Sequence, residues 1–398
     1  MIDIKEKKNC VGCYACYNIC PQNAITLEED EEGFKYPKVN REKCINCGVC
    51  KKVCPIINSK NNNGDRKEKP DVIAAWNKDT FTRLDSTSGG IFSELANKVF
   101  DEEGYVCGAI YDESFKVKHI VTNDRTLLPK LRSSKYLQSD INNCYKEIKE
   151  LLNKDKKVLI CGSPCQIAGL YNYLGKNYEN LLTCDFICRG MNSPKIFKMY
   201  INSLENRYKS KVKNIKFKNK IYGWHNFSTR VDFENGKTYI GGRYFDSYMV
   251  GYLKYNAFVR PSCYECKFKD MPRKSDITLA DFWGIEKISP ELDNNQGTSL
   301  VLLNSEKGRK FFEEIKNIES TRIQSEKIFE RNIYMKKSIE ITKNRQDVFE
   351  NIDNMDYDEL SNKFFPSPKG KEKIKILFDN SNSFIKFKKI IKKILRKV

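Results

Sequence analysis

Eight cysteines in the first 54 residues constrain this chain more than any other feature. Cys10, Cys13, Cys16 and Cys20 are followed by Pro21, and Cys44, Cys47, Cys50 and Cys54 by Pro55. The run Cys-x2-Cys-x2-Cys-x3-Cys-Pro therefore occurs twice. A cubane [4Fe-4S] cluster takes one thiolate per iron, and this spacing supplies thiolates for two such clusters. Three closely spaced thiolates on a tight loop cap three corners. The Cys before Pro, expected to begin a short helix that points the other way, serves the opposite cluster. The expected ligand sets are Cys10, Cys13, Cys16 with Cys54, and Cys44, Cys47, Cys50 with Cys20. Gly12 and Gly48 are expected to relieve crowding where backbone amides approach the sulfurs. Between the runs, AITLEED and EEGFKYPKV read as a strand, an acidic turn and a strand. Zinc knuckles are disfavoured, because a zinc site uses four ligands and calls for neither the third Cys nor the Cys-Pro ending.

Residues 1–58 resemble the two-cluster bacterial ferredoxins and are expected to form a small α+β domain. The whole chain has sixteen Cys and two His, His119 and His225, which argues against a multi-histidine metal site. Hydrophobic residues make up 40% of the 398, enough for a buried core. No apolar run approaches the ~18 residues of a membrane span. The opening MIDIKEKKNC lacks the apolar stretch of a secretory signal. A cytoplasmic location follows as the expectation, where cysteine abundance points to metal ligation or redox chemistry rather than disulfides.

The net charge of +19 is concentrated. Residues 195–222 hold nine bases and one acid, and residues 366–398 eleven bases and two acids. No helix-turn-helix, zinc-finger or RNA-recognition pattern accompanies them, so nucleic acid is not the expected partner. The first segment reads as a solvated helix followed by a strand, KVKNIKFKNK, with its lysines on an open face. Residues 59–70, SKNNNGDRKEKP, read as a linker.

Beyond residue 71 the pattern is mixed α/β. VIAAW (72–76), YVCGAIY (105–111) and KVKHIVT (116–122) are strand candidates, and INNCYKEIKELL (141–152) a helix. KVLICG, PCQIAGLYNYL and LLTCDFIC follow as strand, helix and strand, which argues for parallel pairing. Ser163-Pro164 and Ser193-Pro194 each give an N-cap with Pro at the first helical position. Further strands are expected at 228–233, 237–241, 276–281 and 298–303. Loops after parallel strands are where α/β folds place ligands. Cys161 and Cys165 flank such a loop, Cys188 ends the next strand, and Cys263 and Cys266 form a later Cys-x2-Cys. Cys165, Cys188, Cys263 and Cys266 are the expected ligands of a third cluster; Cys161 in place of Cys165, and zinc at the Cys-x2-Cys, stay open. Cys107, Cys144 and Cys184 read as buried, inert side chains. Ser86-Thr87-Ser88-Gly89-Gly90 opens a helix, where two glycines let a ligand approach the backbone.

Together STSGGIFSELA, LRSSKYLQSD, GSPCQIAGL, CDFICRGMNSPKIF, RPSCYECKF and ITLADFWG resemble, in order, the coenzyme F420 hydrogenase/dehydrogenase beta-subunit family, from about residue 72 to about residue 315. The resemblance implies an α/β flavin-binding catalytic domain over 71–365 carrying FAD and a [4Fe-4S] cluster, with a two-cluster ferredoxin domain as a familiar companion. It implies flavin contacts from Ser86, Ser88, Gly89 and Gly90 and from Lys135, Tyr136 and Gln138. The expected function is an FAD and iron–sulfur oxidoreductase, passing electrons between the cluster relay and FAD for two-electron chemistry on the deazaflavin or another organic substrate. Its redox partner would be a ferredoxin or a dehydrogenase or hydrogenase subunit. The alternative is a subunit that only relays electrons within a larger complex. Tyr136, Lys135 and His225 are the candidates for proton transfer.

The last segment, 366–398, reads as a basic tail ending in FIKFKKIIKKILRKV. Apolar residues at 384, 387, 391, 394 and 398 oppose a basic face, the pattern either of a helix lying on anionic lipid at the inner membrane surface or of one packed on its own domain or a partner subunit.

Overall fold

The computed structural model describes residues 1–58, 66–269, 271–324, 328 and 332–380. Its strands, in chain order, are β1 (Ile25–Glu29), β2 (Lys35–Val39), β3 (Arg66–Asn77), β4 (Tyr105–Tyr111), β5 (Val117–Thr122), β6 (Ser139–Asp140), β7 (Val158–Cys161), β8 (Leu181–Phe186), β9 (Val212–Asn219), β10 (Ser228–Phe233), β11 (Thr238–Gly242), β12 (Ile277–Asp281), β13 (Ser299–Ser305) and β14 (Ile318–Arg322). Among the described residues they form a two-stranded, a three-stranded and a nine-stranded sheet, the last in the order β14-β3-β13-β12-β8-β7-β4-β5-β6.

In the large sheet β4, β7, β8 and β12 run parallel, while β13, β3 and β14 extend it antiparallel. Successive side chains alternate between its faces. Val158 and Ile160 face helices Cys144–Asn153 and Pro164–Leu174, and Leu159 faces helix Ile91–Asp101 on the other side. That last helix buries Ile91, Leu95 and Val99 at successive turns, each contributing about 1.5–3 kcal/mol of transfer free energy. The helix after β7 begins as its sequence requires. Ser163 and Gln166 cap each other's backbone reciprocally, Pro164 fills the first position, and Gly175 ends the helix at φ +69°. Helix Pro194–Tyr208 likewise has Pro at its first position, and the Ser193 side chain accepts from the Ile196 amide.

Two segments differ from the sequence reading. The strand expected at 72–76 begins at Arg66, so residues 66–70 of the expected linker are strand, while 59–65 lie outside the described residues. Arg66 explains the extension: it reaches Asp276 at 2.7 Å, the Lys274 carbonyl and the Tyr171 hydroxyl. The lysines around β9 are open at its start, where Lys211 and Lys213 are exposed, but not beyond. Ile215 and Phe217 enter one core, but Lys218 and Lys220 on the opposite face are also buried, and Lys216 is half-buried. Lys216 pairs with Asp85 and Lys218 with Asp281, while Lys220 Nζ donates to the Arg83, Ser88 and Gln296 carbonyls. Three-stranded sheet and large sheet thus clamp these cations between them. Helix Gly370–Asn380 falls within the expected tail, and the amphipathic segment 384–398 lies outside the described residues.

The N-terminal domain is docked, not tethered. Its helix Ala15–Ile19 lies against helices Cys144–Asn153 and Pro164–Leu174, where Cys13, Tyr14 and Ala15 join the core of Tyr145, Ile167 and Leu170. Gly169 makes room for it: a Cβ there would lie 2.9 Å from Cys13 Sγ. Buried Arg345 grips buried Glu32 through two nitrogens, one at 3.0 Å. Ser193 Oγ donates to the Glu32 carbonyl at 2.5 Å.

Candidate metal centres

The loops after β3, β7, β8 and β12 all leave the sheet at one end, the carboxyl end of its parallel strands. The segment leading into β6 joins them, because Ser139 pairs with Val117 at the start of β5. The 86–90, 132–140, Cys165, Cys188 and 280–284 motifs therefore converge on one end of the sheet, as open α/β sheets dictate.

Eight of the sixteen cysteines line two cavities. The first, about 350 Å³, is lined by Cys20, Cys44, Cys47 and Cys50 with Ile45 and Met1. This is one of the two crossed sets: Cys20 from the first run stands with three cysteines of the second. The four cysteines of the other set are also neighbours of one another, with Cys50 close by. Cys13 and Cys16 each feel the charges of Cys10 and Cys54, and burial raises both thiols above their ordinary range. The Cys-Pro residues end their helices rather than begin them. Cys20 is the C-cap of Ala15–Ile19, and Cys54 follows helix Val49–Lys52 by two residues. Gly12 and Gly48 take φ +65° and +74°, a backbone that L side chains resist.

The second cavity, about 480 Å³, is lined by Cys165, Cys188, Cys263 and Cys266, which come from the start of helix Pro164–Leu174, the β8 loop and the turn Pro261–Cys263 with the residues that follow it. Burial pushes the Cys165 thiol up to about 12 and Cys263 to about 11. Val11 of the N-terminal domain also lines it. Cys161 is elsewhere: it lies against Cys184 and among the residues facing helix Ile91–Asp101. Cys107, Cys144 and Cys184 are buried. Among the described residues no three His, Cys, Asp or Glu side chains stand close enough for a single metal ion. A zinc ion would draw thiolates to ~2.3 Å from one centre; cysteines spread around a cavity suit a multi-iron cluster, whose ligands sit on separate corners. The donor sets therefore fit cubanes.

Between the N-terminal domain and the second cavity stands Arg260, fully buried. Its Nε donates to the Cys10 carbonyl at 2.9 Å, one Nη to Gln138 Oε1 at 2.7 Å and the other to the Lys35 carbonyl at 3.1 Å. Its guanidinium lies 4.2 Å from the Tyr36 ring centre, and its own carbonyl accepts from the Cys263 amide at 3.0 Å. The motif reading missed this residue; a buried Arg three positions before a Cys-x2-Cys is its only trace in the sequence.

The residues expected to touch flavin fall into two places. Ser86, Ser88, Gly89 and Gly90 adjoin the 132–136 segment: Ser134 N donates to Thr87 Oγ1 at 2.9 Å, and Arg132 pairs with Asp85 at 2.8 Å. The glycines do not leave the backbone open. A Cβ on Gly89 would lie 2.4 Å from the Ala75 carbonyl, and the Gly89 amide donates to Ser299 Oγ. Their smallness lets the loop press onto β3 and β13. Ser86 Oγ donates to the Thr82 carbonyl and Ser88 Oγ to the Thr298 carbonyl. Lys135 Nζ closes a helix end by donating to four carbonyls, 130 to 133, and burial pulls it down to about 7. Tyr136 takes φ +39°, its carbonyl accepting from Asn192 and Tyr248. Gln138 sits instead at the domain junction, on Arg260 and Gly12. The Ser86, Ser88 and Lys135 side chains are thus bonded within the chain, whereas Gln138 Nε2 is buried with no hydrogen-bond partner among the described residues. Nearby, His225 Nε2 pairs with Asp293 at 2.7 Å, and Trp224 stacks on Trp283 at 4.5 Å.

Two family models match segments of this chain. Residues 155–330 match the model for the C-terminal region of the coenzyme F420 hydrogenase/dehydrogenase beta subunit, and residues 9–56 that for the 4Fe-4S dicluster domain. A solved structure of the F420-reducing [NiFe] hydrogenase complex from Methanosarcina barkeri, a xenon derivative, is similar to the chain at 17% identity. The match covers 77% of this chain and 97% of that one, with a TM-score of 0.47. No curated protein matches. Among the described residues no helix is long and apolar enough to cross a membrane. Residues 155–330 are thus similar to the C-terminal region of the coenzyme F420 hydrogenase/dehydrogenase beta subunits, and residues 9–56 to a 4Fe-4S dicluster domain.

Proposed function

We propose that the chain is an iron–sulfur oxidoreductase whose cubanes form a line of three: an outer one on Cys20, Cys44, Cys47 and Cys50, an inner one on Cys10, Cys13, Cys16 and Cys54, and a third on Cys165, Cys188, Cys263 and Cys266. The observation that carries this reading is the second cavity, where four cysteines from three separate segments meet against the Cys10 loop. Such clusters supply one-electron transfer when bound. The chain's own residues keep the three sets in fixed register. Arg260 ties the Cys10 carbonyl to the Cys263 segment, Arg345 and Ser193 hold Glu32, and helix Pro164–Leu174 presents Cys165 while bearing on Cys13 through Gly169. Exposed Cys47, beside exposed Ile45, marks the side where a redox protein partner would meet the relay.

FAD is the two-electron group we propose for the sheet edge near the 86–90 and 132–136 segments, acting on the deazaflavin or another small organic substrate. Their adjacency supports it. The internal bonding of Ser86, Ser88 and Lys135 favours a second reading, a relay subunit that hands electrons to a partner protein. Oxygen-free purification with iron, sulfide and flavin analysis tests the proposal: about twelve irons per chain and one flavin are expected. Iron with no flavin would select the relay, and absence of both would end the reading.

A further inference from the structure

The two cysteine cavities differ in charge. Among the described residues the outer one is lined by no charged side chain, its one cation being the α-amino group of Met1, and the inner set has a single buried cation, Arg260, which it shares with Cys263. The second is lined by Arg189, Lys269 and Arg273 and, among the described residues, by no carboxylate. These cations are built in. Arg273 is 3% exposed, and one Nη donates to buried Asp185 at 2.9 Å and to the Phe186 carbonyl at 3.3 Å. Asp185 is fixed in turn by Thr278. Arg273 Nε is buried with no hydrogen-bond partner among the described residues. Lys269 Nζ donates to the Cys188 carbonyl at 2.6 Å and to the Tyr334 carbonyl at 2.9 Å. Arg189 lies over the Tyr334 ring at 4.3 Å, and its Nε is likewise unpartnered among the described residues. A buried cation without a full set of partners is costly unless something anionic faces it.

A cubane on four thiolates is an anion and gains one more negative charge on reduction. Neighbouring cations stabilise the reduced form more than the oxidised one, and hydrogen bonds to the sulfurs act in the same direction. Asp185 offsets one cation and leaves an excess at the cavity. Resting on the three-cluster reading above, we propose that Arg273, with Lys269 and Arg189, holds the cluster on Cys165, Cys188, Cys263 and Cys266 at a higher potential than either cluster of the N-terminal domain. Electrons given up by a low-potential one-electron carrier at the outer rim then run inward and collect in the large domain. Each transfer oxidises the carrier by one electron, reduces one cluster by one, and moves no proton. Arg273 is a positioning residue for charge; it exchanges no electron itself.

The test is a potentiometric titration of the full chain, reconstituted without oxygen and followed by electron paramagnetic resonance, with iron counted in every sample. Loss of one signal in Cys263→Ser/Cys266→Ser identifies the third cluster. The wild-type protein should reduce that cluster first. Arg273→Gln should keep its iron yet lower the reduced-to-oxidised ratio of that signal about tenfold at a fixed potential, leaving the other two signals in place; Arg273→Lys should restore most of the shift. Should Arg273→Gln lose iron, Lys269→Met gives the same readout from the other side of the cavity. A third cluster that titrates with or below the others, or one unmoved by either iron-retaining variant, overturns the inference while the three-cluster reading stands. Eight irons in the wild type, unchanged by the double serine variant, would overturn both.

Discussion

Arg260 reaches across 250 positions of sequence to place its Nε 2.9 Å from the carbonyl of Cys10. The same side chain holds Gln138 and the Lys35 carbonyl, so one guanidinium joins the N-terminal domain to two segments of the large one. Arg260→Met would strand those acceptors in a dry junction, at a cost of about 3 kcal/mol. Chemical denaturation should show this as a lower midpoint. Limited proteolysis should show faster release of residues 1–58, and Arg260→Lys should recover part of the loss.

Glu32 and Arg345 form the second clasp. Glu32→Gln leaves a buried guanidinium half-paired and should destabilise the chain by about 3–5 kcal/mol. The double variant Glu32→Gln/Arg345→Met should lose less than the sum of its parts. A double-mutant cycle of unfolding free energies checks this, and additivity would show that the pair is not coupled in solution.

Crossed ligation makes a specific prediction about iron. Cys20→Ser should remove the outer cluster, with the second cysteine run, and Cys54→Ser the inner one. Each variant should lose about four irons and a different resonance signal. Loss of the inner signal from Cys20→Ser would mean uncrossed ligation.

His119 gives the fold an acid limit. Burial lowers its pKa from 6.5 to about 4, with its Nε2 3.2 Å from the Cys161 carbonyl. Between those values the unfolded chain binds the extra proton and the folded chain does not. The stability contribution is complete above pH 6.5 and is lost as pH falls toward 4, up to about 3 kcal/mol. Unfolding free energies across that window should fall with a slope that His119→Gln flattens. Equal slopes in both proteins would show that the ring is not held neutral.

Much of this was legible locally. The cysteine runs carry their own spacing, and helix Pro164–Leu174 is bounded by Ser163, Pro164 and Gly175, so its limits follow from cap chemistry alone. Strands β4 and β10 stand where their apolar patterns place them. The β9 lysines were misread because alternation marks two faces without saying what covers each. Asp85, Asp281 and the Ser88 and Gln296 carbonyls, all distant in sequence, bury the polar face. The glycines at 89 and 90 were read as room for a ligand, yet at Gly89 the room is taken by Ala75 and Ser299. Choosing Cys165 over Cys161 rests on helix phase. Cys165, the second residue of its helix, lines the cavity, whereas Cys161, the last of its strand, joins the opposite layer. Helices Lys343–Asn351 and Tyr357–Phe364 escaped notice because their apolar residues complete a core assembled from segments more than a hundred residues earlier.

The contact between Cys13 and Gly169 bears on how the protein is made. Once the two halves have closed, the floor beneath Cys13 is sealed by Tyr145 and Ile167. An inorganic group held at Cys13 would then be reached only from the side of Cys10, Cys16 and Cys54, which keep part of their surface in solvent.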